Sequence, residues 1–361
     1  MPLNDFVTLG HSGLRVSPFC LGGMTFGEDW GIGSSVETSQ QIIDRFLDCG
    51  GNFIDTSNIY TRGHSEQIIG DHIGRHPARR DRVVIATKFF ANLYQGDPNS
   101  GGASRKAIIT ACEHSLRRLQ TEYIDLYWLH CWDKFTPVEE TMRALDDLVT
   151  AGKVRYLGFS DTPAWKVAEA HVTARLRGWT PLIALQIEYS LLERTVEGEL
   201  IPMARGLGLG VTPFAPLKAG LLTGKFTRAN AAQAQPRRGA SLAKSLNEQA
   251  LSVIDVVVDI ATQLGATVPQ IAHAWVHSRP GVSSVIMGAT SVSQLDENLK
   301  ALDVRLSSEQ LAALDKASRP VLNWPAEALA NIGTFGYGGT KINGEAFAVN
   351  PRAPQNDGER H

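Results

Sequence analysis

Four residues in this chain are of types that could carry one reaction together: Asp55, Tyr60, Lys88 and His130. The first two share the stretch GGNFIDTSNIYTRGHSE (50–66), where an apolar run ends on a carboxylate and a phenol follows five positions later. A phenol has an ordinary pKa of about 10, so near neutrality it is protonated and can donate. A neighbouring ammonium stabilises the phenolate and eases release of that proton. A carboxylate beside the ammonium holds it charged and in place. An imidazole can hydrogen-bond an oxygen and orient it. Together the four suit protonation of a carbonyl oxygen as negative charge builds on it. Taken by itself, Asp55 also reads as a helix cap and Tyr60 as a surface tyrosine.

Three of the four stand at or near the end of an apolar segment, and Tyr60 follows one. Eight such segments read as strands, at 16–22, 52–56, 83–88, 124–130, 154–160, 182–188, 210–216 and 283–289. Most are continuously apolar, as strands covered on both faces of a parallel sheet are. Helix-period stretches separate them. One is expected to start from a Ser104 cap with Ile108, Cys112, Leu116 and Leu119 on one face. Another starts at Thr136 with Pro137 in the first helical position. Strand and helix in repeated alternation predict a (β/α)₈ TIM barrel, which takes about 250 residues or more. The predicted layout is a single domain over 1–361: an N-terminal hairpin plug at 6–17, the barrel at about 16–317, an inserted loop at about 221–249, and a long tail at 318–361. A doubly wound sheet usually carries Gly-x-Gly-x-x-Gly after its first strand, and GGMTFGEDWG (22–31) does not fit that pattern. In a barrel the C-terminal strand ends converge on one mouth, so Asp55, Lys88, His130, Ser160 and Gln186 become neighbours.

The 361 residues are 43% hydrophobic and 20% charged, which is ample for a large core. A formal net charge of −2 leaves no footprint for nucleic acid or an anionic membrane. No apolar run reaches membrane-spanning length and no signal peptide is legible, so a cytoplasmic protein is expected. The cysteines, Cys20, Cys49, Cys112 and Cys131, form no Cys-x-x-Cys pair, and neither a disulfide framework nor a metal site is expected. No Gly-x-Ser-x-Gly elbow is present for acyl transfer. Hydride chemistry therefore calls for a cofactor.

The stretches NFIDTSNIY (52–60), ATK (86–88), DLYWLH (125–130), GKVRYLGFSD (152–161), QIEYSLLER (186–194), PFAPLKAGLLTGK (213–225) and MGATSVSQLDENL (287–299) resemble the aldo-keto reductases, over roughly residues 9–311 and in that family's order. The resemblance implies a barrel without a Rossmann domain and a reduced nicotinamide as hydride donor. It implies Tyr60 as general acid, Lys88 lowering its pKa, Asp55 pairing with Lys88, and His130 orienting the carbonyl. It places Gly23, Met24 and Asp55 at the cofactor, with Ser160, Asp161 and Gln186 at the nicotinamide carboxamide and Phe214 stacked on the ring. It places Ala215 at the cofactor beside Phe214; Pro216, Leu217, Lys218 and Lys225 along the pyrophosphate; and Gly288, Ala289, Thr290, Gln294, Glu297 and Asn298 at the adenosine. The family usually has Tyr or Trp followed by Ser where this chain has Phe214 and Ala215. Many members carry Lys or Arg where Gly288 and Gln294 stand, which weakens the case for NADPH over NADH. Arg228, Arg237 and Arg238 of the inserted loop are the candidate replacements. Without the resemblance, Phe214 reads equally as core, Glu297 and Asn298 as a helix face, and Arg237 and Arg238 as a solvated pair.

The resemblance implies an NADPH-dependent aldehyde or ketone reductase acting on a small molecule, with NADH use possible and the oligomeric state open. Trp30, Phe89, Phe90, Tyr94, Trp132 and Trp324 are the candidate substrate wall. So many aromatics favour a bulky or aromatic carbonyl. Bacterial aryl-alcohol dehydrogenase-like reductases are the branch it most resembles, with 3-keto-trichothecene reduction a further possibility. Potassium-channel β subunits share the fold and carry Asn where this chain has His130, so a cofactor-binding regulatory subunit is the second reading. A metal-dependent barrel hydrolase would want His-x-His near the first strand, where this chain has CLGGM (20–24).

Overall fold

The computed structural model describes residues 2–228, 246–329 and 332–360. Eight parallel strands form one sheet: β1 (Phe19–Gly22), β2 (Phe53–Asp55), β3 (Val84–Phe89), β4 (Ile124–Leu129), β5 (Val154–Ser160), β6 (Leu182–Glu188), β7 (Gly210–Phe214) and β8 (Val285–Met287). Each pairs with the next in sequence and β8 pairs with β1. The ring closes where Val211 accepts from Ser283 N at 2.8 Å and its own N–H reaches Gly281 O at 3.0 Å. All eight expected strands form. The first is shorter than the 16–22 run, because Val16 belongs to the hairpin that precedes it.

That hairpin pairs Val7–Thr8 with Arg15–Val16. Leu9 and Val16 are fully buried among Cys20, Phe53, Val84, Ala86, Leu126, Trp128 and Ile286, the inward-facing residues of the barrel. The hairpin thus caps the barrel interior with apolar side chains. Gly158 belongs to the same layer. A Cβ there would lie 2.3 Å from the Trp128 ring, so only glycine leaves room for the indole.

The helices cover the outer face. Ser104 caps Arg105–Leu119, accepting from Ala107 N, and Ile108, Cys112, Leu116 and Leu119 are buried beneath it. The helix expected from Pro137 starts one residue later, at Val138, with Pro137 as its cap residue. Among the described residues no single helix is long and apolar enough to cross a membrane. The segment after Ala317 forms two short helices (Ala326–Leu329 and Ile332–Tyr337) and a small hairpin (Lys341–Ile342 with Glu345–Ala346), and none of these buries a residue.

Candidate active site

Strand alternation decides which side chains face the barrel axis. On β3, Val84 and Ala86 pack inward while Ile85 and Phe89 pack outward against the helices. Lys88 therefore points inward. On β2, Phe53 is inward and Ile54 outward, so Asp55 shares the interior with Lys88. Parallel register brings the strand ends level: Asp55 pairs with Ala86, Lys88 with Trp128, and Ser160 with Gln186.

The Lys88 ammonium is fully buried and forms an ion pair with Asp55. It donates also to the Thr56 carbonyl at 2.8 Å and to Tyr60 Oη at 3.2 Å. The second Asp55 oxygen accepts from the Gln186 amide at 3.0 Å. His130 Nδ1 lies 3.1 Å from Ser57 Oγ, and its ring meets the Tyr60 ring edge-on at 5.9 Å. The four residues stand together, and the reading of Asp55 as a helix cap is not what the geometry shows.

The electrostatics follow from burial. Desolvation pulls the Lys88 ammonium down, but Asp55 and Tyr60 outweigh it and its pKa is raised, so it stays charged. Burial pushes the Tyr60 phenol up; Lys88 pulls it back without reversing the sign. The expected lowering by Lys88 is therefore real as an interaction, but the net direction in the free protein is upward. Burial, aided by the Lys88 charge, holds His130 down to about 3, so it is a neutral imidazole at physiological pH. Asp161 is raised to about 6 by its surroundings and by Glu188.

These groups open into a cleft of about 480 Å³, lined on one side by Tyr60, His130, Ser160, Asp161 and Gln186. Met24, Phe214, Ala215, Pro216, Leu217, Gly288, Ala289, Thr290 and Gln294 line it too, as do Thr25, Ile32, Thr223 and His273, which the sequence did not single out. Ser160 Oγ is buried there with no hydrogen-bond partner among the described residues. A buried hydroxyl in that state fits a ligand amide. A Cβ at Gly288 would meet open space, so the opposite corner is uncrowded.

Other candidates lie elsewhere or are already engaged. Gly23 is buried beneath the cleft near Ser65 and the Asp55 carbonyl. Gln186 donates to Asp55 rather than standing free. Lys218 pairs with Glu188 at 2.8 Å, and Arg228 with Glu248 and Asp255 at 2.7 and 2.6 Å. Glu297 accepts from Gln270 at 2.7 Å, and Asn298 donates to the Gly288 carbonyl at 3.4 Å. Lys225 is not among the residues that line the cleft. Arg237 and Arg238 fall outside the described residues.

The aromatic wall divides. Trp30 stands edge-on to Tyr60 at 6.3 Å, on a loop held by an Asp29–His64 contact of 2.8 Å. Phe90 and Trp132 are partly buried against the outer core. Phe89 faces the helices, 4.9 Å from the Tyr127 ring, and cannot line the cleft. Tyr94 borders a separate polar depression with His64 and His114. Trp324 is 83% exposed on the C-terminal segment. Among the described residues no group of His, Cys, Asp and Glu could hold a metal.

The family model for the aldo/keto reductase family matches residues 18–319. An uncharacterized oxidoreductase, YrpG, of Bacillus subtilis (strain 168) is 38% identical over 320 residues, 86% of this chain and 95% of that protein. A probable voltage-gated potassium channel subunit beta of Oryza sativa subsp. japonica is 38% identical over 306 residues, 83% and 92% of the two chains. An aryl-alcohol dehydrogenase [NADP(+)] of Phanerodontia chrysosporium is 34% identical over 324 residues, 84% and 83%. The chain belongs to the aldo/keto reductase family.

Proposed function

We propose that this member of the aldo/keto reductase family reduces the carbonyl group of a bulky or aromatic small molecule, with NADPH as its coenzyme. One observation carries the reading: the Lys88 ammonium, ion-paired with Asp55, donates to the phenol of Tyr60 at the inner wall of the cleft. A reduced nicotinamide, when bound, supplies the hydride. Ser160, with its unpartnered hydroxyl, and Asp161 would hold the carboxamide, and Phe214 would lie against the ring. Tyr60 gives its proton to the carbonyl oxygen. Lys88 stabilises the phenolate left behind, and Asp55 keeps Lys88 charged. With Nδ1 facing Ser57, the neutral His130 has Nε2 for the carbonyl oxygen. Trp30, edge-on to Tyr60, supports an aromatic substrate, and the fungal relative's name points the same way for substrate and coenzyme.

A panel of aliphatic, aromatic and polycyclic carbonyls, including a 3-keto-trichothecene, tests this by loss of reduced-nicotinamide absorbance with NADPH and NADH in parallel. Turnover of aromatic members faster than small aliphatic ones, with NADPH favoured, is the expected result. The rice relative motivates the second reading, a cofactor-binding regulatory subunit. Tight coenzyme binding with no turnover across the panel would decide for it.

A further inference from the structure

His273 lies in the middle of the helix Val268–His277. It is 1% exposed, yet both ring nitrogens lack a hydrogen-bond partner among the described residues. Its neighbours explain nothing polar: the Phe19 ring stands tilted at 5.9 Å, and Ile271, Ala272 and Trp275 on the same helix are core residues. Leaving a buried donor unmade costs about 1–3 kcal/mol, so an aliphatic side chain would serve a plain core better. His273 does, however, reach the wall of the cleft, in company with Thr223, Ile286 and Gly288. Its helix packs against both the turn Lys218–Thr223 and β8. That turn contains Lys218 of the candidate pyrophosphate segment, and β8 leads into Gly288, Ala289 and Thr290 of the candidate adenosine corner.

We infer that His273 is a binding residue for the dinucleotide, donating a ring N–H to a phosphate or ribose oxygen of its ADP-ribose half. The inference rests on the proposed use of a nicotinamide dinucleotide. Burial holds the ring down to about 4, so it is neutral at working pH and keeps one N–H to give. The bond would satisfy a ring nitrogen that has no hydrogen-bond partner among the described residues. Binding and folding therefore pull in opposite directions at this one position.

That opposition supplies the test. Dissociation constants for NADPH, ADP-ribose and nicotinamide mononucleotide are measured at pH 7.5 on the wild-type chain, His273→Leu and His273→Gln, with melting temperatures of the ligand-free proteins. His273→Leu should weaken NADPH and ADP-ribose by about tenfold, the value of one hydrogen bond, and leave nicotinamide mononucleotide unchanged. Its ligand-free melting temperature should hold or rise, because an unsatisfied polar group has been removed. His273→Gln, which keeps a donor, should recover part of the lost affinity. Unchanged affinity for both ADP-ribose ligands in a folded Leu variant overturns the inference. So does a lowered melting temperature with equal loss for all three ligands, which marks a structural histidine. Should the Leu variant not fold, His273→Phe, which has no donor, takes its place, and wild-type affinity for NADPH and ADP-ribose there overturns the inference as well. A wild-type chain that binds none of the three overturns the dinucleotide reading itself, and this inference with it.

Discussion

The Nζ of Lys88 donates to Tyr60 Oη at 3.2 Å while the same ammonium is ion-paired with Asp55. Asp55 and Tyr60 both line the cleft, and of these two partners of Lys88 the phenol is the one with a proton to give. Tyr60→Phe removes the proton and keeps the ring. It should lower kcat by about 10²–10⁴-fold, the usual worth of general acid catalysis, with coenzyme affinity nearly unchanged. Steady-state kinetics on a substrate whose chemical step is rate-limiting, paired with a coenzyme titration, checks both halves. Near-wild-type turnover would remove Tyr60 from the role.

Asp55→Asn tests the ion pair. The native pair holds the Lys88 pKa above its ordinary value, so its contribution is complete below the unfolded lysine pKa and is lost as pH rises through the folded one. Without the carboxylate, desolvation wins and the ammonium loses its proton at lower pH. The alkaline limb of the kcat profile should move to lower pH, and kcat should fall more than carbonyl KM changes. The profile reports the coupled Asp55–Lys88–Tyr60 cluster, not one residue. Breaking a buried pair also costs about 3–5 kcal/mol, so the melting temperature should drop. A lower melting temperature with an unmoved profile and unchanged turnover would leave Asp55 a purely structural role.

The barrel and the inner cluster were legible because both rest on local patterns. Continuous apolar runs mark the strands, and polar residues at their C-terminal ends mark the mouth. Phe89 was misplaced although the same pattern contained the answer: adjacent strand residues face opposite ways, so an inward Lys88 requires an outward Phe89. Tyr94 and Trp324 stand on segments without strand periodicity, where the chain's path, not its composition, sets what a ring touches. His273 was hidden by its context, since a single polar residue within IAHAW reads as a buried helix. Only the three-dimensional position shows that its nitrogens have no partner among the described residues and that its ring borders the cleft. The upward shift of Tyr60 was likewise invisible, because desolvation depends on packing and not on neighbours in sequence.

His130 should behave as a permanently neutral imidazole. Its folded pKa of about 3 lies below the unfolded value near 6.5. As pH falls from 6.5 toward 3, the unfolded chain takes a proton that the folded chain refuses, so this residue removes stability across that window. His130→Asn should therefore gain stability relative to wild type as the pH drops from 7 to 5, read as a widening difference in melting temperature. In the folded wild type, the His130 ring resonances should stay flat between pH 5 and 8 by NMR. A titration midpoint inside that range would contradict the neutral state on which its carbonyl-orienting role depends.

Coenzyme preference turns on where a 2′-phosphate finds its cations. Among the described residues, the cleft lining contains no lysine or arginine. Gln294 is turned onto Thr290, accepting its N–H at 2.9 Å, and Arg228 is committed to Glu248 and Asp255. Arg237 and Arg238, which fall outside the described residues, are the cations that the sequence offers for that phosphate. Replacing both with alanine should raise the NADPH dissociation constant by about tenfold or more, since hydrogen bonds to charged groups contribute about 1.5–3 kcal/mol each. NADH lacks the 2′-phosphate, so its affinity should change by less than about twofold, within the usual effect of exposed charges. Titrating both coenzymes against the same variant separates the cases. Equal losses for NADPH and NADH would make the arginines supports of the loop and not readers of the phosphate. No loss for either would assign the preference to the backbone around Gly288, where a Cβ would meet open space and a phosphate has room.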